Sequence, residues 1–230
     1  MSNRFPTVGV IGAGQLARMM IAPATALGVN LLLFASDEND SAAQINRHVI
    51  GDYTNLAQVL DFAKKCDVVT FEHELVPLSV IKGLEAEGVK VYPPSSAFIY
   101  SQDKAAMREK LSSFPAPLSQ VISELSAVTE FPVIAKAISG GYDGRGVWKI
   151  KNQAELQEIL SHTSPLLIEE LVDFDVEISV MVARSPHGQA TSWAPVETVQ
   201  EDGICTLTIT PAQKISPEVA EQVQKIALEI

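Results

Sequence analysis

Cysteine is nearly absent: the 230 residues hold two, Cys66 and Cys205. They lie far apart, offer no metal-ligand spacing and suit a reducing cytoplasm, which is the expected compartment. Long apolar runs are missing as well. None approaches the length of a membrane span, and the opening Met-Ser-Asn-Arg-Phe-Pro does not read as a signal peptide. Basic residues are scarce, with 17 Lys and Arg against 28 Asp and Glu and a net charge of −11. A nucleic-acid binder would show a basic face, so that class is set aside. No internal repeat and no low-complexity tract occurs.

What is present is a charged glycine strip over residues 136–147, Lys-Ala-Ile-Ser-Gly-Gly-Tyr-Asp-Gly-Arg-Gly-Val. Glycine lets backbone N–H groups approach a ligand closely. Successive amides with fixed cations among them form an anion-binding concavity, and phosphate is its usual guest. Apolar runs flank the strip on both sides, so it joins two strands. A P-loop instead leads from strand to helix and ends Gly-Lys-Ser/Thr, and neither feature occurs here. The spacing predicts a flap laid over phosphates, with Lys136 reaching in from the adjacent strand. A hairpin without a ligand needs one or two glycines, and this one has four.

In chain order, a short β-branched strand over residues 7–11 leads into Gly12-Ala13-Gly14-Gln15-Leu16-Ala17. A helix runs from there to Leu27, with Gly28 at its C′ position. A second strand covers residues 30–34, and Ser36-Asp37 follow. This is β-α-β with Gly-x-Gly-x-x-Ala at the first turn, which matches the dinucleotide-binding fingerprint in order and spacing. The same turn also serves as a plain strand-to-helix connection. The alternation continues with a strand at 48–50, a helix at 55–64, an apolar strand at 67–71, a helix at 77–87 and a strand at 89–92. One doubly wound α/β domain is therefore expected over residues 1–100, with its boundary at Pro93-Pro94-Ser95-Ser96. Phe71-Glu72-His73-Glu74 falls at the C-terminal end of a parallel strand. It is either a ligand-binding edge or a solvated, charged turn.

Beyond the boundary, a helix is expected over residues 101–112 and a strand at Val121-Ile122. The glycine strip follows, then a helix at 152–161 opened by a capping box. A strand over 166–172 carries Glu169 and Glu170, and another covers 175–183. Residues 192–199 and 204–209 read as a hairpin. A final helix starts at Ser216-Pro217. Its apolar positions Val219, Val223, Ile226, Ala227 and Ile230 keep helical spacing to the last residue, so a C-terminal portion is expected to be missing.

The ordered set of 8–20 (Val-Gly-Val-Ile-Gly-Ala-Gly-Gln-Leu-Ala-Arg-Met-Met), 71–74, Gln102-Asp103-Lys104, 140–146 and Pro195-Val196-Glu197-Thr198-Val199 resembles the N5-carboxyaminoimidazole ribonucleotide synthetase family of the ATP-grasp superfamily. The resemblance covers essentially the whole chain. It implies an N-terminal Rossmann-like pre-ATP-grasp α/β domain over residues 1–100. It also implies an α+β ATP-grasp domain over 101–230 that is incomplete at its C-terminus. The implied reaction joins bicarbonate to 5-aminoimidazole ribonucleotide at the expense of ATP, in purine biosynthesis, by a cytoplasmic homodimer. Lys104 and Lys136 resemble the cationic ATP contacts, and Gly141, Tyr142, Asp143, Gly144, Arg145, Gly146 and Val147 the flap. Glu169, Glu170, Leu171 and Val172 resemble the adenine-reading strand, and Glu177 the ribose contact. Gln200 stands where the family often has His. Asp143 and Arg145 are the implied catalytic pair, and Gln15, Glu74, Tyr142 and Arg145 the implied ribonucleotide contacts. The family's Mg²⁺ ligands lie on later strands that have no counterpart here, so no metal ligand is expected in this chain and little turnover.

Two other readings compete. Another ATP-grasp ligase, such as the formate-dependent glycinamide ribonucleotide transformylase, shares the architecture. An NAD-dependent oxidoreductase would use the Gly12-x-Gly14 turn, but it leaves the glycine strip without a role, and the four histidines supply no hydride-transfer constellation.

Overall fold

The computed structural model describes residues 4–141, 145–201 and 203–230. The chain divides into two units, Met1–Gln102 and Asp103–Ile230.

The first unit is built on a parallel sheet of order β3-β2-β1-β4. Its strands are β1 (Thr7–Ile11), β2 (Asn30–Ala35), β3 (His48–Ile50) and β4 (Val68–Phe71). Alternate residues of β1 and β2 point to opposite faces, and both faces are covered. Val10, Leu33 and Ala35 pack with Ala17 of α1 (Gln15–Ala26). Ile11, Leu32 and Phe34 pack with residues of α2 (Leu56–Ala63) and α3 (Leu78–Ala86). This two-sided cover is why the strands read as apolar runs rather than alternating ones. Asn55 caps α2 by accepting from the Ala57 and Gln58 amides.

Two expectations are corrected in this unit. The strand expected at 89–92 is a single parallel bridge between Val69 and Val91. The boundary expected at 93–96 is instead the start of a helix, α4 (Ser95–Gln102). Tertiary contacts make it one. The Ser95 amide and hydroxyl donate to the Glu85 carboxylate at 2.7 and 2.6 Å, and Phe98 packs edge-on against Phe71 at 4.7 Å.

The second unit opens with α5 (Lys104–Lys110), separated from α4 by Asp103. The Asp103 carboxylate caps α5 through the Ala106 amide at 2.8 Å, so the helix expected over 101–112 is two helices. An antiparallel sheet of order β5-β8-β6-β7 follows. It contains β5 (Ser119–Ile122), β6 (Val133–Ala137), β7 (Val147–Ile150) and β8 (Leu166–Glu170). One face is buried by α6 (Gln153–His162) through Ala135, Ile150, Leu156, Leu166 and Ile168. Asn152 and Glu155 form the capping box expected there, with Glu155 N–H on Asn152 Oδ1 at 3.1 Å and Lys151 N–H on the Glu155 carboxylate at 2.8 Å.

The remaining strands are β9 (Glu177–Ser179), β10 (Val182–Arg184), β11 (Ala190–Ser192), β12 (Val196–Glu201) and β13 (Ile204–Ile209). They form a β13-β12-β9 sheet and a separate β10-β11 ribbon. The single strand expected over 175–183 is thus split between two sheets, and Ser192 belongs to β11 rather than to β12. The β12-β13 hairpin and the last helix, α7 (Pro217–Glu229) capped by Ser216, stand where expected.

Candidate functional site

β6 and β7 pair as the two arms of the glycine strip, with Lys136 opposite Val147. In an antiparallel pair, residues directly opposite share a face, and so do positions two apart. Lys136 lies opposite Leu167 of β8, and Ile134 lies opposite Glu169. Lys136, Val147, Leu167 and Glu169 therefore share the face away from α6. Glu170 points to the other face, where its carboxylate accepts from the Leu118 amide at 2.9 Å.

Glu169 is the electrostatic centre of that face. Its side chain is 4% exposed and touches two cations, Arg108 Nε on Oε1 at 2.6 Å and Lys136 Nζ on Oε2 at 2.6 Å. Burial alone would raise this carboxyl above the usual range. The hydrogen bonds and charges of Arg108 and Lys136 outweigh it and hold the group lower, so it stays ionised. Lys104, one helical turn before Arg108, is tied to the end of β6 by its amide on the Ile138 carbonyl at 2.9 Å. A Cβ added to Gly141 would fall 3.3 Å from Lys104 Nζ and 2.5 Å from the Arg145 carbonyl. Lys104 therefore lies against the strip, and only glycine fits at 141. Gly146 adopts φ +73°, and its carbonyl accepts from the Ala137 amide at 2.8 Å. Arg145 is exposed at the strip's far end. Tyr142, Asp143 and Gly144 lie outside the described residues.

A second cluster forms on the β9-β12 pair. Glu177 Oε1 accepts from Thr198 Oγ1 and from Gln200 Nε2, both at 2.7 Å. Thr198 and Gln200 stand two apart on β12 and so share the face that meets Glu177. Glu177 is thus presented by two neighbours, with Oε2 outside those bonds. Glu197 faces the other way, is 1% exposed and pairs with Lys214. Leu171 and Val172 lie beyond the end of β8 rather than in the strand, and both are exposed.

In the first unit, Gln15 Oε1 accepts from Ser41 Oγ at 3.0 Å, and the Glu74 carbonyl accepts from Gln102 Nε2 at 2.6 Å. Glu72 is half-buried. Its carboxylate turns inward onto the α1 N-terminus, where Gly14 N–H donates at 2.7 Å and Leu16 and Ala17 N–H at 3.1 and 3.2 Å. A dinucleotide pyrophosphate would need those amides. The oxidoreductase reading therefore finds its phosphate seat filled by a side chain of the protein itself.

Two groups in these contacts are not marked by any motif of their own: Arg108, and Glu72 beyond its place in the segment 71–74. The first carried a faint signal, a cation at i+4 from Lys104 on one helix face. The second carried none, because its partners are 55 to 58 residues away. Among the described residues, no group of three or more His, Cys, Asp or Glu is placed to hold a metal ion.

Comparison with known proteins bears on this geometry. Residues 94–230 match the model of the ATP-grasp domain. The chain belongs to the ATP-grasp family. Residues 5–102 match the ribonucleotide synthetase preATP-grasp domain. Over 238 aligned residues the chain is 39% identical to the N5-carboxyaminoimidazole ribonucleotide synthase of Mycobacterium tuberculosis, covering 98% of this chain and 56% of that protein. The carboxyaminoimidazole ribonucleotide synthase of Aspergillus clavatus, solved with ATP, superposes with a TM-score of 0.84 at 32% identity, over 97% of this chain and 62% of that one. A second A. clavatus structure, with ADP and 5-aminoimidazole ribonucleotide, gives 0.82 at 29% identity, over 98% and 62%. The ATP-grasp chain therefore spans little more than half the length of the relatives it matches.

Proposed function

We propose that this chain carries the ATP-binding and acceptor-binding parts of a cytoplasmic, homodimeric carbon–nitrogen ligase of purine biosynthesis. The whole protein carboxylates 5-aminoimidazole ribonucleotide with bicarbonate, through carboxyphosphate, to N5-carboxyaminoimidazole ribonucleotide, ADP and phosphate. The observation that carries this reading is the Arg108–Glu169–Lys136 cluster, with Lys104 against Gly141 beside it.

Bicarbonate is a poor electrophile, and ATP supplies the phosphoryl group that turns it into a good one. The protein's task is to hold the triphosphate and offset its charge as that group transfers. Lys104 and Lys136 provide fixed positive charge, and the strip's glycines provide backbone amides. Glu169 orients Lys136 and stops it from folding away. Glu177, held by Thr198 and Gln200, accepts from the ribose hydroxyls, and the backbone of 169–172 meets the adenine. Arg145 and Asp143 serve the carboxyphosphate end, with Tyr142. Gln15 and Glu74 meet the ribonucleotide. Carboxyphosphate hydrolyses readily, so a closing glycine flap that excludes water protects it until the amine attacks. Mg²⁺ bound with ATP would add charge neutralisation at the transferring phosphoryl group.

Thermal-shift titrations with ATP and with NAD test the reading directly. ATP should raise the unfolding temperature saturably and NAD should not. No stabilisation by millimolar ATP would refute it.

A further inference from the structure

We infer that Glu72 is a positioning residue: its carboxylate is the built-in anion of the α1 N-terminus, closing the first glycine turn to phosphate and holding Gln15 in register with Glu74. The second half of this statement rests on the function proposed above; the first half does not.

Helix α1 begins without local help. Gly14 at its N-cap has no side chain to accept a hydrogen bond, and the first turn holds no acidic residue. A twelve-residue helix left so would expose several unpaired N–H groups and an unbalanced positive dipole end. Glu72, from the end of β4, meets both needs. Its Oε2 takes Gly14 N–H, and its Oε1 takes Leu16 and Ala17 N–H. Its own amide donates to the Ile11 carbonyl at 2.9 Å, so the residue is fixed from both ends.

The two glycines of the turn are shaped to this side chain. A Cβ at Gly12 would stand 2.5 Å from Glu72 Oε2 and 2.7 Å from Glu72 Cβ, and one at Gly14 would stand 2.6 Å from Oε1. Gly-x-Gly here makes room for a carboxylate rather than for a pyrophosphate. Position 15 begins the helix just after the capped Gly14 amide, and position 74 follows two residues after Glu72. The same carboxylate thus pins the Gln15 turn to the strand end that bears Glu74. On the far side, Gln102 Nε2 holds the Glu74 and Val76 carbonyls at 2.6 and 2.8 Å. With a negative charge already seated among the amides, a ligand at this edge is read through its hydroxyl and amine donors rather than through a phosphate on α1.

The test uses Glu72→Ala and Glu72→Gln in this chain, followed by thermal unfolding in formate, in inorganic phosphate and in chloride at matched ionic strength. The wild type should respond to formate as to chloride, and to phosphate only by general salting-out and by occupancy of the proposed ATP site. Glu72→Ala should unfold at lower temperature and be restored saturably by formate and phosphate, small anions that enter the vacated seat. Glu72→Gln keeps one acceptor and should be rescued less. A folded Glu72→Ala that responds to formate and phosphate no more than the wild type would overturn the inference. So would a wild type that responds as strongly as the variant. Should Glu72→Ala fail to fold, hydrogen exchange decides in the wild type, where the Gly14, Leu16 and Ala17 amides should be protected. Exchange there at the rate of free amides would refute the cap. In binding assays, Glu72→Gln should weaken aminoimidazole ribonucleotide by about tenfold or more while ATP affinity holds. Equal ribonucleotide affinity in variant and wild type would defeat the positioning role. A wild type that binds no ribonucleotide would instead defeat the proposed function and leave the anion-rescue result to decide the cap.

Discussion

Replacing Glu169 by Gln removes the charge that joins Arg108 to Lys136 while keeping nearly the same shape. The carboxylate is 4% exposed, and its cationic partners are 22% and 24% exposed, each at 2.6 Å. Removing one member of a fully buried pair costs about 3–5 kcal/mol, mostly because the remaining charge is stranded. Here the stranded charges are the two cations, and each keeps roughly a quarter of its surface in water, so part of that cost is recovered. The expected loss is about 2–3 kcal/mol at neutral pH. Urea denaturation followed by circular dichroism reads it from the shift in midpoint at constant slope. The pH dependence supplies the check on cause. The folded carboxyl is held below its unfolded value, so the unfolded chain binds the proton first as pH falls. The contribution is therefore complete above the ordinary Glu range of about 4.3 and disappears as pH drops through the lower folded value. The gap between wild type and Glu169→Gln should close over that window. ATP should also bind the variant more weakly, because a neutral amide orients the Lys136 ammonium less firmly than the carboxylate does. A stability difference under about 0.5 kcal/mol at pH 7.5, or one that does not shrink in acid, would refute this account of the cluster.

Other substitutions and reagents probe separate links. Gly146→Ala puts a side chain on a residue at φ +73° and a Cβ 3.1 Å from that of Ala137. It should cost about 1–2 kcal/mol and weaken ATP binding, measured by urea titration and calorimetry. Gly9→Ala would drive a Cβ to 2.5 Å from Cys66 Sγ and 2.9 Å from the Phe62 ring. Overpacking of about 1–3 kcal/mol should follow, seen as a lowered unfolding midpoint. The Cys66 thiol is pushed up to about 11 by burial and by the neighbouring Asp67 charge, whereas Cys205 is exposed. Native protein at pH 8 should therefore take up one thiol label quickly and the second only in urea, as read by intact mass.

Much of this protein is legible along the chain, because its signals are local. Strand β1 has its expected bounds, Asn152 and Glu155 cap α6 from within four residues, and Ser216-Pro217 opens α7. The glycine strip joins two strands that pair with each other, as its apolar flanks require. In each case the decisive groups are neighbours in sequence, so residue type and period carry the information. The rest was set by partners that folding brings from far away. Residues 95–102 become a helix because Glu85 and Phe71 engage them. Arg108 reaches Glu169 across 61 positions. Glu72, indistinguishable in the sequence from a solvated acid, crosses 58 positions to seat itself on Gly14. A carboxylate looks the same in the chain whether it meets water, a cation or a helix end, and only tertiary contacts decide among them.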